Sequence, residues 1–242
     1  MTVTMSEHTA KAFDVDLQDI ARMVAEMGGL AEKQVADAVE ALARRDAERA
    51  QRAIALDPSI DALQREVEEK AVLTIARRQP MAVDLREVVS ALRIANDLER
   101  VGDLAKNIGK RVTAISGDFH PQKLIRGVEH MAVMVLTQLK EVLDSYVGHD
   151  IDKALAVWKG DEGIDAMCTS LFRELLTYMM EDPRNITFCI HLMFCAKNIE
   201  RMGDHATNIA ETVYYMIEGR PIAEQRPKGD TTTLAAALAT DN

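Results

Sequence analysis

The residues of this sequence best suited to chemistry are acidic, and they come in pairs four positions apart. The chain contains four such pairs: Asp57/Asp61, Glu99/Asp103, Asp161/Asp165 and Glu200/Asp204. Side chains four positions apart share one face of an α-helix, where like charges repel each other by a few tenths of a kcal/mol. Hard cations prefer oxygen ligands of this kind, and bridging carboxylates also hold iron or manganese. The pairs therefore predict a metal site wherever the fold brings them together.

The spacing of the first two pairs around a proline predicts such a meeting. Pro80 should end one helix at the residue before it. Asp61 and Glu99 lie 19 residues before and after Pro80, and Asp57 and Asp103 lie 23 residues before and after it. Because the rise per residue of an α-helix is constant, an antiparallel hairpin that turns at Pro80 places all four carboxylates at one level.

The second half of the chain repeats this arrangement about a midpoint between residues 182 and 183. Asp165 and Glu200 are symmetric about that midpoint, as are Asp161 and Asp204. Two carboxylates about 5 Å apart repel by roughly 3 kcal/mol at an effective dielectric near 20. Four carboxylates at one level consequently need protons or a cation.

A purely structural role stays open for the acids of the second helix in each half. Asp57, which precedes Pro58, and Asp161 both fit the N-cap of a helix, with proline favoured at the first helical position. Asp61 and Asp165 would then lie in the first turn, where the helix dipole favours negative charge. This alternative needs no metal.

The acids of the third helices could instead be solvated and paired with Arg100 and Arg201. A glycine nevertheless stands beside each of these pairs, at Gly102 and Gly203. Glycine inside a helix costs about 1 kcal/mol relative to alanine. Its presence at equivalent places predicts a close approach of two backbones there.

An internal repeat relates the two halves. Residues 95–108 read ANDLERVGDLAKNI and residues 196–209 read AKNIERMGDHATNI, which agree at eight of fourteen positions with an offset of 101. A second stretch, residues 46–62, reappears at residues 150–166 with an offset of 104. The chain is therefore a tandem duplication.

Composition and periodicity predict an all-α fold. Hydrophobic residues make up 48% of the chain but aromatic residues only 4%, with 13 Met, 6 Pro and 12 Gly. Apolar residues recur at threes and fours, as in amphipathic helices. We expect two antiparallel three-helix bundles, over residues 1–118 and 119–219, followed by a disordered tail over residues 220–242.

Within each bundle the sequence predicts where helices begin and end. The first helix should end near Arg45 and a short helix should follow Asp46. The second helix should run from Asp57 to Arg78, and its counterpart should run over residues 161–181. The third helices should end near residues 116–117 and at Gly219, where glycine favours a helix stop.

The charge and the cysteines limit the compartment and the partners. The net charge of −10 repels phosphate backbones, so nucleic acid is not an expected partner. No apolar run approaches the roughly 20 residues that span a bilayer. Cys168, Cys189 and Cys195 lie on apolar helical stretches and suggest buried, reduced thiols. We expect a cytoplasmic protein that does not insert into membranes.

No constellation of catalytic residues can be argued from the sequence. The Glu-x-x-His pattern of di-iron helical bundles does not occur, and no glycine loop for phosphate precedes a Lys-Ser/Thr pair. We therefore expect a non-enzymatic protein. Two alternatives stay open: a metal-dependent enzyme, since carboxylate clusters can activate water, and a metal-free helical adaptor whose acids are ordinary surface.

The ordered set of motifs resembles the PhoU family. The set consists of the duplicated E-R-x-G-D motifs, their Asp-x-x-x-Asp partners, the segment RRQP at residues 77–80 followed by DLR at 84–86, and YMMED at 178–182. The resemblance covers residues 10–219. It implies two three-helix bundles whose E(D)-x-x-x-D motifs bind metal, here through the eight acids of the four pairs. The ions implied are divalent or trivalent, with multinuclear iron first and zinc, manganese or magnesium as alternatives.

The resemblance also implies a function. Members of this family are negative regulators of the phosphate regulon and of phosphate uptake. They link the ATPase of the phosphate ABC transporter to a phosphate-sensing histidine kinase, and homodimers are common among them. One departure from the repeat is that Lys197 and Asn198 stand where the first half has Asn96 and Asp97. The second site is therefore expected to be less acidic and to hold fewer ions.

Overall fold

The part of the chain that the structure describes contains six long α-helices in two sets of three. The computed structural model describes residues 3–115, 122–224 and 226, without the side chains of residues 3–12 and 122. The helices are α1 (Val3–Arg44), α2 (Ala47–Arg78), α3 (Val83–Ala114), α4 (Gln122–Gly148), α5 (Ile151–Glu181) and α6 (Ile186–Glu218), and a short 3-10 turn (Pro183–Asn185) precedes α6. No strand occurs within the described residues. The predicted all-α fold with a duplicated three-helix unit is confirmed.

The predicted start of the second helix in each half is wrong. α2 and α5 begin at Ala47 and Ile151, and their N-caps are Asp46 and Asp150, whose carboxylates accept hydrogen bonds from backbone amides three residues on. Pro58 lies inside α2 and is exposed. Proline has no backbone N–H, so one carbonyl in the preceding turn loses its helical hydrogen bond, and on this side of the helix water can replace it.

Asp57 and Asp161 are consequently mid-helix residues and not caps. Their relative exposures are 8% and 2%, so both carboxylates are buried. The helix continues through both positions because its preceding turns are packed against the core. Ala50 and Ala53 in α2 and Ala154 in α5, for example, are almost completely buried. Tertiary packing thus overrides the local N-cap signal.

The two predicted turns lie between α2 and α3 and between α5 and α6, at the midpoints of the two hairpins. Gln79 is the C-cap of α2 and adopts a left-handed conformation with φ of 52°, and α3 begins four residues later. In the second half, the Asp182 side chain accepts a hydrogen bond from the amide of Arg184 in the 3-10 turn before α6. α6 stops at Gly219, with φ of 74°, as predicted.

One hydrophobic core runs through both halves. α3 packs against α6 and α1 packs against α4, in addition to the contacts within each set of three helices. Buried Ala, Val, Ile and Leu side chains from all six helices form a single cluster. The two bundles therefore fold against each other. The boundary predicted between residues 118 and 119 lies outside the described residues, as do residue 225 and residues 227–242 of the predicted tail.

The three cysteines are buried and form no disulfide bond, as predicted. Burial raises the pKa of Cys195 to about 12, so this thiol stays protonated at neutral pH. Among the helices that the structure describes, none is long and apolar enough to cross a membrane.

The glycines beside the third-helix acids mark close helix packing, as predicted. A Cβ at Gly102 would lie 3.0 Å from Ile60 Cδ1 on α2 and 3.0 Å from Gln34 Oε1 on α1. At Gly203 it would lie 3.1 Å from Ile164 Cδ1 on α5. All three distances are tighter than most Cβ contacts in proteins, so a larger residue would crowd these side chains. The small residues therefore let α3 and α6 approach the helices that hold the partner acids.

Candidate functional site

The first group of acids meets between α2 and α3. We call Asp57, Asp61, Glu99 and Asp103 the first cluster. Burial raises the pKa of Glu99, and the nearby charges of the other three members raise it further, whereas Arg100 lowers it. The charges of Asp57, Asp61 and Asp103 thus act on Glu99, in agreement with the hairpin that the spacing around Pro80 predicts. Glu99 Oε2 is buried and accepts no hydrogen bond, although it lies 3.3 Å from Arg100 Nε.

A lysine joins two members of the first cluster. Lys106 Nζ, on α3, donates to Asp57 Oδ2 at 2.7 Å and to Asp103 Oδ1 at 2.6 Å. Burial opposes the charge of Lys106, but the two hydrogen bonds outweigh it and raise the pKa well above its ordinary value. Lys106 is therefore a permanent cation bridging α2 and α3 at the acidic level.

The second group meets between α5 and α6 and is more deeply buried. We call Asp161, Asp165, Glu200 and Asp204 the second cluster. The relative exposures of its first three members are 2%, 5% and 5%. Burial raises the pKa of Glu200, Lys197 lowers it through a 2.7 Å ion pair, and the charges of Asp204 and Asp165 raise it again. Glu200 Oε2 is buried without a hydrogen-bond partner.

An arginine from beyond α6 joins two members of the second cluster. Arg226 Nη2 lies 2.8 Å from Asp161 Oδ2 and 2.6 Å from Asp204 Oδ1. Burial raises the pKa of Asp161, and the charge and hydrogen bond of Arg226 oppose that shift. The spacing of the motifs did not predict Arg226. One feature of the sequence could have indicated it: Thr207, a neutral residue, stands at the position equivalent to Lys106, and a basic residue follows in the segment after α6.

The donor chemistry of both clusters fits a hard cation. Every candidate ligand is a carboxylate oxygen, and one buried oxygen in each cluster, on Glu99 and on Glu200, has no hydrogen-bond partner. Within the described residues, however, no group of three or more Asp, Glu, His or Cys side chains is arranged to hold a metal ion. Two carboxylates of each cluster would have to turn from Lys106 or Arg226 toward a bound ion.

Comparison with known proteins gives the same duplicated architecture. The PhoU domain matches residues 24–112 and 128–213, one match in each half. A relative from Rhizobium meliloti, named phosphate-specific transport system accessory protein PhoU homolog, is 58% identical over 231 residues, covering 96% of this chain and 98% of the relative. The chain belongs to the PhoU family. A relative of the same name from Caulobacter vibrioides is 50% identical over 226 residues, covering 93% of this chain and 98% of the relative.

Solved PhoU structures share the fold over most of the chain. The crystal structure of PhoU from Pseudomonas aeruginosa has a TM-score of 0.81 and 38% identity, covering 86% of this chain and all of that one. The phosphate transport system regulatory protein PhoU from Streptococcus pneumoniae has a TM-score of 0.80 and 27% identity, covering 88% of this chain and all of that one.

Two further acids, Asp97 and Glu174, have partners outside the two clusters. Asp97 Oδ1 lies 2.8 Å from His205 Nδ1 and 3.4 Å from Asn208 Nδ2, so it links α3 of the first half to α6 of the second. Glu174 forms an ion pair with Lys123 at 3.5 Å. These contacts give Asp97 and His205 a role in joining the halves of the PhoU fold.

The buried Glu200 makes the stability of the metal-free protein depend on pH. A carboxyl whose folded pKa is raised contributes stability that is complete below its unfolded value of 4.5 and is lost as pH rises through the folded pKa. Glu200→Gln should therefore stabilise the protein at pH 7 by roughly 1 kcal/mol, the scale of an unsatisfied buried polar atom, and this gain should vanish below pH 4.5. Urea unfolding in the presence of a chelator measures it. The exposed Glu141→Gln is the matched control, and an equal pH profile for both variants would contradict the prediction.

Proposed function

We propose that this chain is a cytoplasmic, non-enzymatic regulator of a phosphate transport system, acting as a negative regulator of the phosphate regulon and of phosphate uptake. The observation behind the proposal is its similarity, across 96% of its length, to a relative named as an accessory protein of phosphate-specific transport. A regulator of this class acts through protein contacts, and long helices of a single rigid core supply extended surfaces for them.

The partners proposed are the ATPase of the phosphate ABC transporter and the phosphate-sensing histidine kinase, with the chain acting as a homodimer. The turn between α2 and α3 is one candidate contact. Arg77 is exposed there, and Met81 and Val83 are 79% and 57% exposed. Two other arginines near this turn are engaged within the fold. Arg78 Nε lies 3.0 Å from Asp16 Oδ2, and the Arg86 guanidinium lies against Gly219.

We further propose that the two clusters hold divalent or trivalent metal ions, with iron first and zinc, manganese or magnesium as alternatives. Asp57, Asp61, Glu99 and Asp103 would be the ligands of the first site. Asp161, Asp165, Glu200 and Asp204 would be the ligands of the second. A bound cation would neutralise the repelling carboxylates and fix each hairpin, so its contribution would be to the shape and stability of the regulator.

A metal-free adaptor is the second candidate, and one observation favours it. Lys106 and Arg226 already neutralise part of each cluster, at distances of 2.6 to 2.8 Å. A fold balanced in this way needs no metal to tolerate its buried acids. Metal content after purification without added metal separates the two candidates, because only the metal-binding regulator should retain ions.

Capture of partners from phosphate-replete cells tests the regulatory proposal. The tagged wild-type chain should retain the transporter ATPase and the histidine kinase, identified by mass spectrometry. Arg77→Glu should reduce that capture about tenfold. Replacing one interface ion pair by a like-charge contact weakens binding by about 1.4 kcal/mol or more, and 1.4 kcal/mol is a tenfold change in affinity. The matched control is Arg52→Glu, which makes the same change at an exposed position of the same helix. Equal capture by both variants would remove the turn as the contact, and capture of neither protein by the wild type would contradict the proposed partners.

A further inference from the structure

The two clusters obtain their bridging cation from different parts of the chain. In the first cluster the cation is Lys106, three positions after Asp103 on the same helix. The equivalent position of the second half is Thr207, whose hydroxyl lies 3.0 Å from the carbonyl of Gly203 and 3.3 Å from Asp161 Oδ1. A hydroxyl can donate a hydrogen bond but supplies no charge. The second cluster therefore lacks a helical cation at this position.

Arg226 takes the place that Lys106 has in the first cluster. Its Nε and Nη2 lie 3.0 and 2.8 Å from Asp161 Oδ2, and Nη2 also contacts Asp204 at 2.6 Å. These two aspartates correspond in the repeat to Asp57 and Asp103, the partners of Lys106. The side chain of Arg226 is only 17% exposed, and that of Asp161 is 3% exposed. Ile222, four residues earlier, packs against the core and fixes the path of this segment.

A second feature of the second cluster is a buried carboxylate oxygen on Glu200 that no donor satisfies. Glu200 is 5% exposed, and its Oε2 atom has no hydrogen-bond partner although the charges of Asp204 and Asp165 act on it. Lys197 pairs with the other oxygen, Oε1, at 2.7 Å, so Oε2 alone is unsatisfied. A buried carboxylate oxygen without a donor costs stability, and a cation bound next to it would remove that cost. Arg226 contacts Asp161 and Asp204 and leaves this oxygen unsatisfied.

We propose that the segment after α6 is an internal ligand of the second cluster, with Arg226 and a metal ion as alternative occupants. The inference rests on the metal-binding function proposed above. A metal ion at the second cluster needs the oxygens of Asp161 and Asp204 and so must displace the guanidinium. Occupancy of the second cluster is thereby coupled to release of Arg226. The first cluster has no such coupling, because Lys106 belongs to the helix itself.

The only tryptophan of the chain reports on the second cluster. Trp158 is buried on α5, one turn before Asp161, and its Nε1 donates to Glu211 Oε1 at 3.0 Å. Titration with Mn²⁺ should therefore change its fluorescence when the second cluster fills. Electron paramagnetic resonance of free Mn²⁺ counts the ions bound at both clusters together.

Arg226→Gln should shift the Trp158 titration midpoint to an Mn²⁺ concentration at least about tenfold lower, because removing a charged competitor raises the fraction of competent sites. Arg220→Gln, at a 73% exposed position paired with Glu218, makes the same charge change and should leave the midpoint unaltered. If Mn²⁺ binds but Arg226→Gln titrates like the wild type, the inference is wrong and the metal function survives. If no variant binds Mn²⁺, both fail.

Chemical modification of the wild type gives a test that does not depend on the variant. Phenylglyoxal, which reacts with accessible guanidinium groups, should modify Arg226 slowly in the metal-free protein and at least about tenfold faster at saturating Mn²⁺. Mass spectrometry should show Arg220 modified at the same rate in both states. Protection of Arg226 that persists when the second cluster is saturated would overturn the inference.

Discussion

Cells that lack this protein should express phosphate-starvation genes in phosphate-rich medium, at a level roughly 5- to 150-fold above that of the parent strain. A factor of 5 to 150 corresponds to a coupling free energy of about 1 to 3 kcal/mol, which is typical for a regulator and its target. The physical reason is that a negative regulator stabilises the inactive state of its partner, and removing it returns the partner to its unregulated equilibrium. A fusion of a phosphate-starvation promoter to a reporter enzyme measures the effect in rich and in limiting phosphate.

Complementation makes the result specific to the protein. The wild-type chain and Arg52→Glu should both restore repression, whereas Arg77→Glu should restore it only in part if the turn between α2 and α3 is the contact. The amount of folded protein is checked in each strain by immunoblotting. Normal repression in the deletion strain would refute the regulatory proposal. Full repression by Arg77→Glu would move the contact elsewhere on the surface.

The second large effect concerns the first cluster. Glu99→Gln/Asp103→Asn should weaken metal binding at that cluster by at least about a hundredfold, since even changes in residues behind the ligands cost 10- to 100-fold. Binding at the second cluster should persist, because its carboxylates come from α5 and α6. Elemental analysis of the protein purified without added metal gives the content, and competition with a chelator gives the affinity.

Thermal unfolding provides an independent measure of the same effect. At a free-ion concentration of about 100 times Kd, one bound ion stabilises the folded state by about 2.7 kcal/mol. The double variant should lose about that much of the metal-induced stabilisation. Glu66→Gln/Glu69→Gln, two exposed positions on α2, remove the same charge and should behave as the wild type. A wild-type protein without metal, whose melting temperature divalent ions do not change, would instead identify the metal-free adaptor.

The sequence alone determined the level at which the acids meet. Helical periodicity and the position of Pro80 predict Asp61 opposite Glu99, and in the structure the charge of Asp61 is one cause of the raised pKa of Glu99. This inference succeeds because it depends only on the constant rise of a helix and on one turn. The same counting applies around residues 182 and 183. Glycine at positions 102 and 203 likewise predicted close packing there, although the groups that fill the space are the side chains of Ile60 and Ile164 and not a second backbone.

Only the tertiary structure decided which residues neutralise the acids and how the halves combine. The N-cap signal at Asp57 was overridden because Ala50 and Ala53, in the turns before it, are buried against other helices. Arg226 lies 65 residues from Asp161 in the chain, and no periodicity relates the two. Long-range contacts of this kind, like the packing of α3 on α6, depend on how elements distant in sequence bury their surfaces against each other. Local spacing therefore predicted the level of the acids and places Lys106 beside Asp103, whereas long-range packing brings Asp57 to Lys106 and Arg226 to Asp161.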